Sequence, residues 1–156
     1  MQFISHYPAE TEALGGAWGR EARTGWVIAL SGDLGAGKTQ LVKGIALGLG
    51  INERVHSPTF TLVNEYGGGR LALFHLDLYR LETRQQIFAA GLEEYLTPAG
   101  VTVIEWAERL GDIRSSKSEV RSPKSKAQSS PACFRRVQID VLNETERRIS
   151  YEDFGG

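Results

Sequence analysis

Apolar and polar positions fall into two kinds of pattern along the chain. Trp26-Val27-Ile28-Ala29-Leu30 is a continuous apolar run closed by Ser31-Gly32, the pattern of a strand buried on both faces. Val101-Thr102-Val103-Ile104 reads the same way and ends at Glu105-Trp106. Elsewhere the apolar positions recur at helical spacing. Residues 9–22 put Leu14, Ala17, Trp18 and Ala22 on one face. Residues 38–49 do the same with Leu41, Val42, Ile45, Ala46 and Leu49, and Gly50 stands where a helix C-cap glycine belongs. Thr83 to Gln86 has capping-box spacing and predicts a helix that carries Ile87, Phe88, Leu92, Tyr95 and Leu96 to a stop at Pro98 and Gly100. Thr59 to Tyr66 and Leu71 to Asp77 flank Gly67-Gly68-Gly69 and predict a hairpin. Val137 to Leu142 and Arg147 to Tyr151 predict a second, closing one, and Phe3-Ile4 a short edge strand. Strands alternating with helices, with hairpins around them, predict an α/β fold of three layers: a mostly parallel central sheet, some antiparallel strands and a C-terminal hairpin.

Length and composition narrow this picture. A chain of 156 residues predicts one domain, 1–156. No apolar run approaches the roughly 18–20 residues that cross a bilayer, and the N-terminus lacks the basic and apolar regions of a secretory signal. The single cysteine, Cys133, allows no internal disulfide and no multi-cysteine metal site. A cytoplasmic location with no membrane partner is the expectation.

The net charge of −1 hides an asymmetry. Residues 114–136 hold seven cations against Glu119 alone, so this segment carries +6 and the rest of the chain −7. It also holds seven serines, Pro123 and Pro131, too little apolar surface to offset its ordering entropy. A flexible basic insertion at 111–136 is predicted, as a solvated loop or a segment that meets a phosphate backbone.

The strongest chemical feature is Gly32-Asp33-Leu34-Gly35-Ala36-Gly37-Lys38-Thr39, which matches G-x-x-x-x-G-K-[ST] at every required position. An apolar strand precedes it and an amphipathic helix follows, as a phosphate loop requires. Its glycines let the backbone take conformations closed to other residues, so that successive N–H groups converge on a phosphate at a helix N-terminus. Gly35, Ala36, Gly37, Lys38, Thr39 and Gln40 form the predicted nucleotide-binding set. Lys38 reaches the β- and γ-phosphates and Thr39 offers its hydroxyl to Mg²⁺. A metal also needs an acid. Asp77 and Glu105 each end an apolar run and should emerge at the carboxyl edge of the sheet, where open α/β folds bind ligands. No Asn-Lys-x-Asp guanine signature occurs, so ATP is the expected nucleotide. Arg80 is a candidate for developing phosphate charge, and Trp106 and His56 for the neighbourhood of the nucleotide. For Arg80 the ordinary alternative is a surface ion pair, for Trp106 core burial. His75 reads as a core or strand-face histidine.

Several strings together resemble one family. They are the loop itself, Ser57-Pro58-Thr59-Phe60-Thr61-Leu62-Val63, His75-Leu76-Asp77-Leu78-Tyr79-Arg80-Leu81, Gly91-Leu92-Glu93-Glu94-Tyr95-Leu96 and Ile104-Glu105-Trp106. In this order and spacing the chain resembles the TsaE (YjeE) family, the ATPase of tRNA threonylcarbamoyladenosine biosynthesis. The resemblance covers residues 26–110 well and the closing hairpin more loosely. It implies that Thr39 and Glu105 hold the metal, that Asp77 serves hydrolysis with Lys38, and that residues 57–61 act as a switch near the γ-phosphate. It also implies TsaB-like and TsaD-like partners and tRNA contact through that assembly. With no assured arginine finger in the site, slow hydrolysis by the lone chain is expected. A small-molecule kinase and a nucleotide-gated binding module are the alternatives that the same loop would serve. The segment between Leu110 and Val137 departs from the family's short connector.

Overall fold

The computed structural model describes residues 1–32, 36–56, 58, 61–96, 98–107 and 133–154. Seven strands form one sheet: β1 (Gln2–Ser5), β2 (Trp26–Gly32), β3 (Val63–Tyr66), β4 (Leu73–Asp77), β5 (Val101–Glu105), β6 (Cys133–Val141) and β7 (Arg147–Phe154). Their spatial order is β1-β7-β6-β2-β5-β4-β3. The central four, β6, β2, β5 and β4, run parallel, while β1, β7 and β3 pair antiparallel at the flanks. The apolar run at Trp26 therefore lies at the centre, as a strand without a polar face must.

Helices α1 (Pro8–Glu21) and α2 (Lys38–Gly48) cover one face of the sheet. Their core includes Ile28, Leu30, Val101, Val103, Val137 and Ile139 from the sheet. On α2 the residues predicted to face inward, Leu41, Val42, Ile45, Ala46 and Leu49, are all at most 2% exposed. Burying side chains of this size contributes roughly 1.5–3 kcal/mol each for the larger ones. Gly50 takes φ +82°, the left-handed conformation a C-cap glycine supplies. The short helix α3 (Arg84–Ala89) and a 3-10 turn at Leu92–Leu96 cover the opposite face, packed on Val27, Ala29, Leu76, Ile104 and Phe134.

Four sequence expectations need correction. The helix predicted from Thr83 to Leu96 is two pieces. Thr83 caps α3 through Gln86 N–H at 3.1 Å, but the chain turns at Gly91, φ +79°, before the 3-10 turn begins. The strand predicted from Thr59 starts at Val63, because Leu62 N–H bonds back to Pro58 C=O at 2.7 Å in a turn and Leu62 itself has φ +70°. The basic segment ends earlier than predicted: residues 133–136 belong to β6, paired in register with β2, and Arg135 is buried. Residues 111–132 lie outside the described residues.

The fourth concerns α1. Ala17 is exposed, and the face turned to α2 is made of glycines. A Cβ on Gly15 or Gly19 would strike the carbonyls of Leu41 or Ile45, and one on Gly44 or Gly48 those of Glu12 or Gly16. The two helices touch backbone to backbone, so only glycine fits. The Arg70 guanidinium, from the turn between β3 and β4, closes the end of α1 by donating to the carbonyls of Gly19, Arg20 and Ala22.

Candidate functional site

Strand β2 ends at Gly32 and α2 begins at Lys38, so the glycine-rich loop joins the central strand to the N-terminus of a packed helix. Gly37 is the N-cap, with φ +96° and no side chain capping the first turn. A Cβ there would meet nothing within 4 Å. The glycine serves backbone conformation and not packing, and the first-turn N–H groups of α2 have no side-chain cap to compete with an anion.

Lys38 is 5% exposed. Its ammonium donates to Gly32 C=O at 2.6 Å and lies 4.1 Å from the centre of the Trp106 ring. A carbonyl dipole and an aromatic face thus hold a cation that burial would otherwise penalise. Trp106 has φ +61°, a costly backbone state for a bulky residue. Its ring meets that of the exposed Tyr79 at a tilt of 50°, with the centroids 5.0 Å apart.

Thr39, the next residue of α2, donates its hydroxyl to Glu105 Oε2 at 3.3 Å. The same oxygen meets His75 Nε2 at 2.5 Å. Strand register explains the convergence: Leu30, Glu105 and Asp77 are paired neighbours across β2, β5 and β4. All three strands run parallel, so their carboxyl ends open to one edge beside the loop. Glu105 and His75 share the sheet face that α2 covers, because residues two apart on a strand share a face. Asp77 is 3% exposed and its Oδ1 accepts Tyr79 N–H at 2.9 Å.

Thr39 and Glu105 are the residues that could hold a divalent cation. One hydroxyl and one carboxylate are hard oxygen donors, and Mg²⁺ takes one or two protein ligands and completes its shell with water and phosphate oxygens. Among the described residues no group of three or more His, Cys, Asp or Glu forms a metal cage. The donor set therefore suits a metal that arrives with a nucleotide.

The structure brings Lys38, Thr39 and Glu105 together and sets Asp77 one strand away from Glu105. Ala36 and Gly37 lead into α2, while Gln40 turns its side chain to Glu12 of α1 at 2.6 Å. Gly35 lies outside the described residues, as do Ser57, Thr59 and Phe60 of the predicted switch. The stretch before that switch is tethered: Tyr66 Oη accepts His56 N–H at 3.0 Å and Asn64 Nδ2 donates to His56 C=O at 3.1 Å. His56 and Arg80 are exposed. Sequence reasoning missed Arg147. Its Nε donates to Ala36 C=O at 3.2 Å, which fastens the last hairpin to the phosphate loop. No local pattern marks that contact, since it joins residues 111 positions apart.

Comparison with known proteins gives a consistent result. A family model described as "Threonylcarbamoyl adenosine biosynthesis protein TsaE" matches residues 5–137. A Bacillus subtilis protein named tRNA threonylcarbamoyladenosine biosynthesis protein TsaE is 48% identical over 148 residues, spanning 95% of this chain and 82% of its own. The Treponema pallidum protein of that name is 47% identical over 110 residues, 70% of this chain and 81% of its own. Among solved structures, a crystal structure of Bacillus subtilis YdiB superposes with a TM-score of 0.73 at 32% identity, covering 100% of this chain and 86% of that one.

Proposed function

This chain belongs to the TsaE family, and from that premise and the site geometry we propose that it is the Mg²⁺-dependent ATP-binding and ATP-hydrolysing subunit of tRNA N6-threonylcarbamoyladenosine biosynthesis. It works with TsaB-like and TsaD-like proteins in the cytoplasm and meets tRNA through that assembly. The observation that carries the ATP reading is the meeting of Lys38 and Thr39, from the start of α2, with Trp106 and Glu105, from the end of β5. A loop that only turned a strand into a helix would have no use for a buried ammonium next to a part-buried hydroxyl–carboxylate pair.

Each residue then has a task. The N–H groups from Gly35 to Gln40 cradle the β-phosphate, and Lys38 neutralises charge shared by the β- and γ-phosphates. Thr39 and Glu105 would hold Mg²⁺, whose chemistry would be to neutralise charge on the phosphate oxygens. Asp77 orients the attacking water. Phosphoryl transfer needs positioning and charge more than covalent chemistry, and this set supplies both. The lone chain turns over slowly and the partners complete the site.

The test is reconstituted threonylcarbamoylation with TsaB-like and TsaD-like proteins, scored as modified adenosine formed per tRNA, with ATP hydrolysis followed in parallel. Modification should depend on this chain and be lost with Lys38→Ala, and hydrolysis should rise when the partners are added. Full modification with Lys38→Ala, or fast hydrolysis by the isolated chain, contradicts the proposal. Phosphate transfer to a nucleoside or metabolite in place of hydrolysis would identify a kinase instead.

A further inference from the structure

We infer that His75 is a positioning residue: its imidazole carries the proton on Nε2 and holds the Glu105 carboxylate in the orientation that serves a divalent cation. The inference rests on the site proposed above and assigns a task to a side chain which that mechanism leaves unused.

His75 sits in the middle of β4, and its side chain is fully buried. Its Nε2 meets Glu105 Oε2, while Nδ1 is buried without a hydrogen-bond partner among the described residues. That pairing makes Nε2 the donor. A proton on Nδ1 would strand a buried N–H without an acceptor and set the bare Nε2 lone pair against a carboxylate oxygen. A proton on Nε2 donates to Glu105 and leaves only a lone pair unmatched. The orphaned Nδ1 also bears on the residue's purpose. A core that needed only volume would be better served here by leucine, as at Leu73 and Leu76 on the same strand. The imidazole is tolerated with half its polar capacity unmet because the other half faces Glu105.

Thr39 also donates to Oε2, but its hydroxyl is itself a proposed metal ligand. His75 is the donor of the pair that needs no change of duty when a cation is present. Its backbone is fixed by pairing with β3 and β5 on both sides, so the imidazole is a rigid support. Supports of this kind change metal affinity about 10–100-fold when removed.

The experiment titrates Mg²⁺ into the full chain saturated with a non-hydrolysable ATP analogue and reads the concentration at half-maximal binding. His75→Leu should raise that concentration about 10–100-fold while leaving metal-free analogue affinity unchanged. His75→Gln, which keeps an N–H donor of similar reach, should restore most of the loss. Wild-type Mg²⁺ dependence in His75→Leu overturns the inference. Should Glu105→Gln also retain wild-type Mg²⁺ dependence, the site assignment fails and not the role of His75 alone. Should His75→Leu not fold, nitrogen-15 NMR of the wild-type imidazole decides. A proton on Nε2 supports the inference, and one on Nδ1 overturns it.

Discussion

Lys38 holds its ammonium between a carbonyl and an indole face with almost no exposure, so its contribution to phosphate binding is poorly replaced by solvent. Charge-assisted hydrogen bonds contribute about 1.5–3 kcal/mol each. Lys38→Ala should therefore weaken ATP binding at least tenfold by calorimetry, and unchanged affinity would remove the basis of the site. A second residue-level prediction concerns Arg135, which is ringed by Trp18, Trp26 and Tyr151 and donates to Asp153 at 2.6 and 2.8 Å. Burial pulls the Arg135 guanidinium down, but its hydrogen bonds to Asp153 and Glu21 outweigh that and hold it above its ordinary value. Those from Arg135 hold the Asp153 carboxyl below its ordinary 3.8, against the opposing effect of burial. A depressed carboxyl contributes stability that is fully present above its unfolded value and is lost as pH falls through the folded one. Asp153→Asn should lower the melting temperature at neutral pH and flatten its fall below about pH 4. An acid limb as steep as wild type would rule the pair out as its cause. The placement of Lys38 and Thr39 at the start of α2, and of the two acids at strand ends, was legible in the sequence because the glycine-rich loop is a local pattern and the acids close apolar runs. Arg135 was not, because its partners come from α1, β2 and β7.

Among the elements, α1 and α2 touch through facing glycines, and α2 carries the first turn that the phosphate would meet. Gly44 has no room for a methyl group against the Glu12 carbonyl. Gly44→Ala should cost about 1–3 kcal/mol through overpacking. At roughly 2–4 °C per kcal/mol for a chain of this size, that is a fall of several degrees in melting temperature. An unshifted transition would mean that the helices can part without loss. The amphipathic pattern of α2 was readable since leucine, valine and isoleucine mark its buried face. That of α1 misled at Ala17, because a face defined by the absence of side chains gives no hydrophobic signal. The break at Gly91 was hidden for a related reason: Leu92, Tyr95 and Leu96 continue the apolar spacing of α3 across a residue whose backbone conformation ends the helix.

Over the whole molecule, sheet order does what no single motif can. It sets β5 beside β2 and β4 beside β5, so that Glu105 and Asp77 come to the same edge of the sheet from strands far apart in sequence. It also brings β7 round to the other side, where Arg147 holds Ala36 C=O. A typical hydrogen bond contributes about 0.5–1.5 kcal/mol. Arg147→Met should therefore weaken nucleotide binding by about two- to tenfold with the fold intact, and wild-type affinity would show the hairpin to be idle at the loop. The parallel layers could be anticipated from alternating strands and helices, but the return of the C-terminal hairpin to the site could not, since it depends on long-range pairing alone. In the proposed function a triphosphate lies along the Gly32–Thr39 loop with Mg²⁺ held by Thr39 and Glu105. The most direct test of this placement is a crystal structure of the chain with a non-hydrolysable ATP analogue and Mg²⁺. Phosphate oxygens are expected on the loop amides and on Lys38 Nζ, with metal density between Thr39 Oγ1 and Glu105. A triphosphate bound elsewhere, or a metal held by other residues, would contradict it.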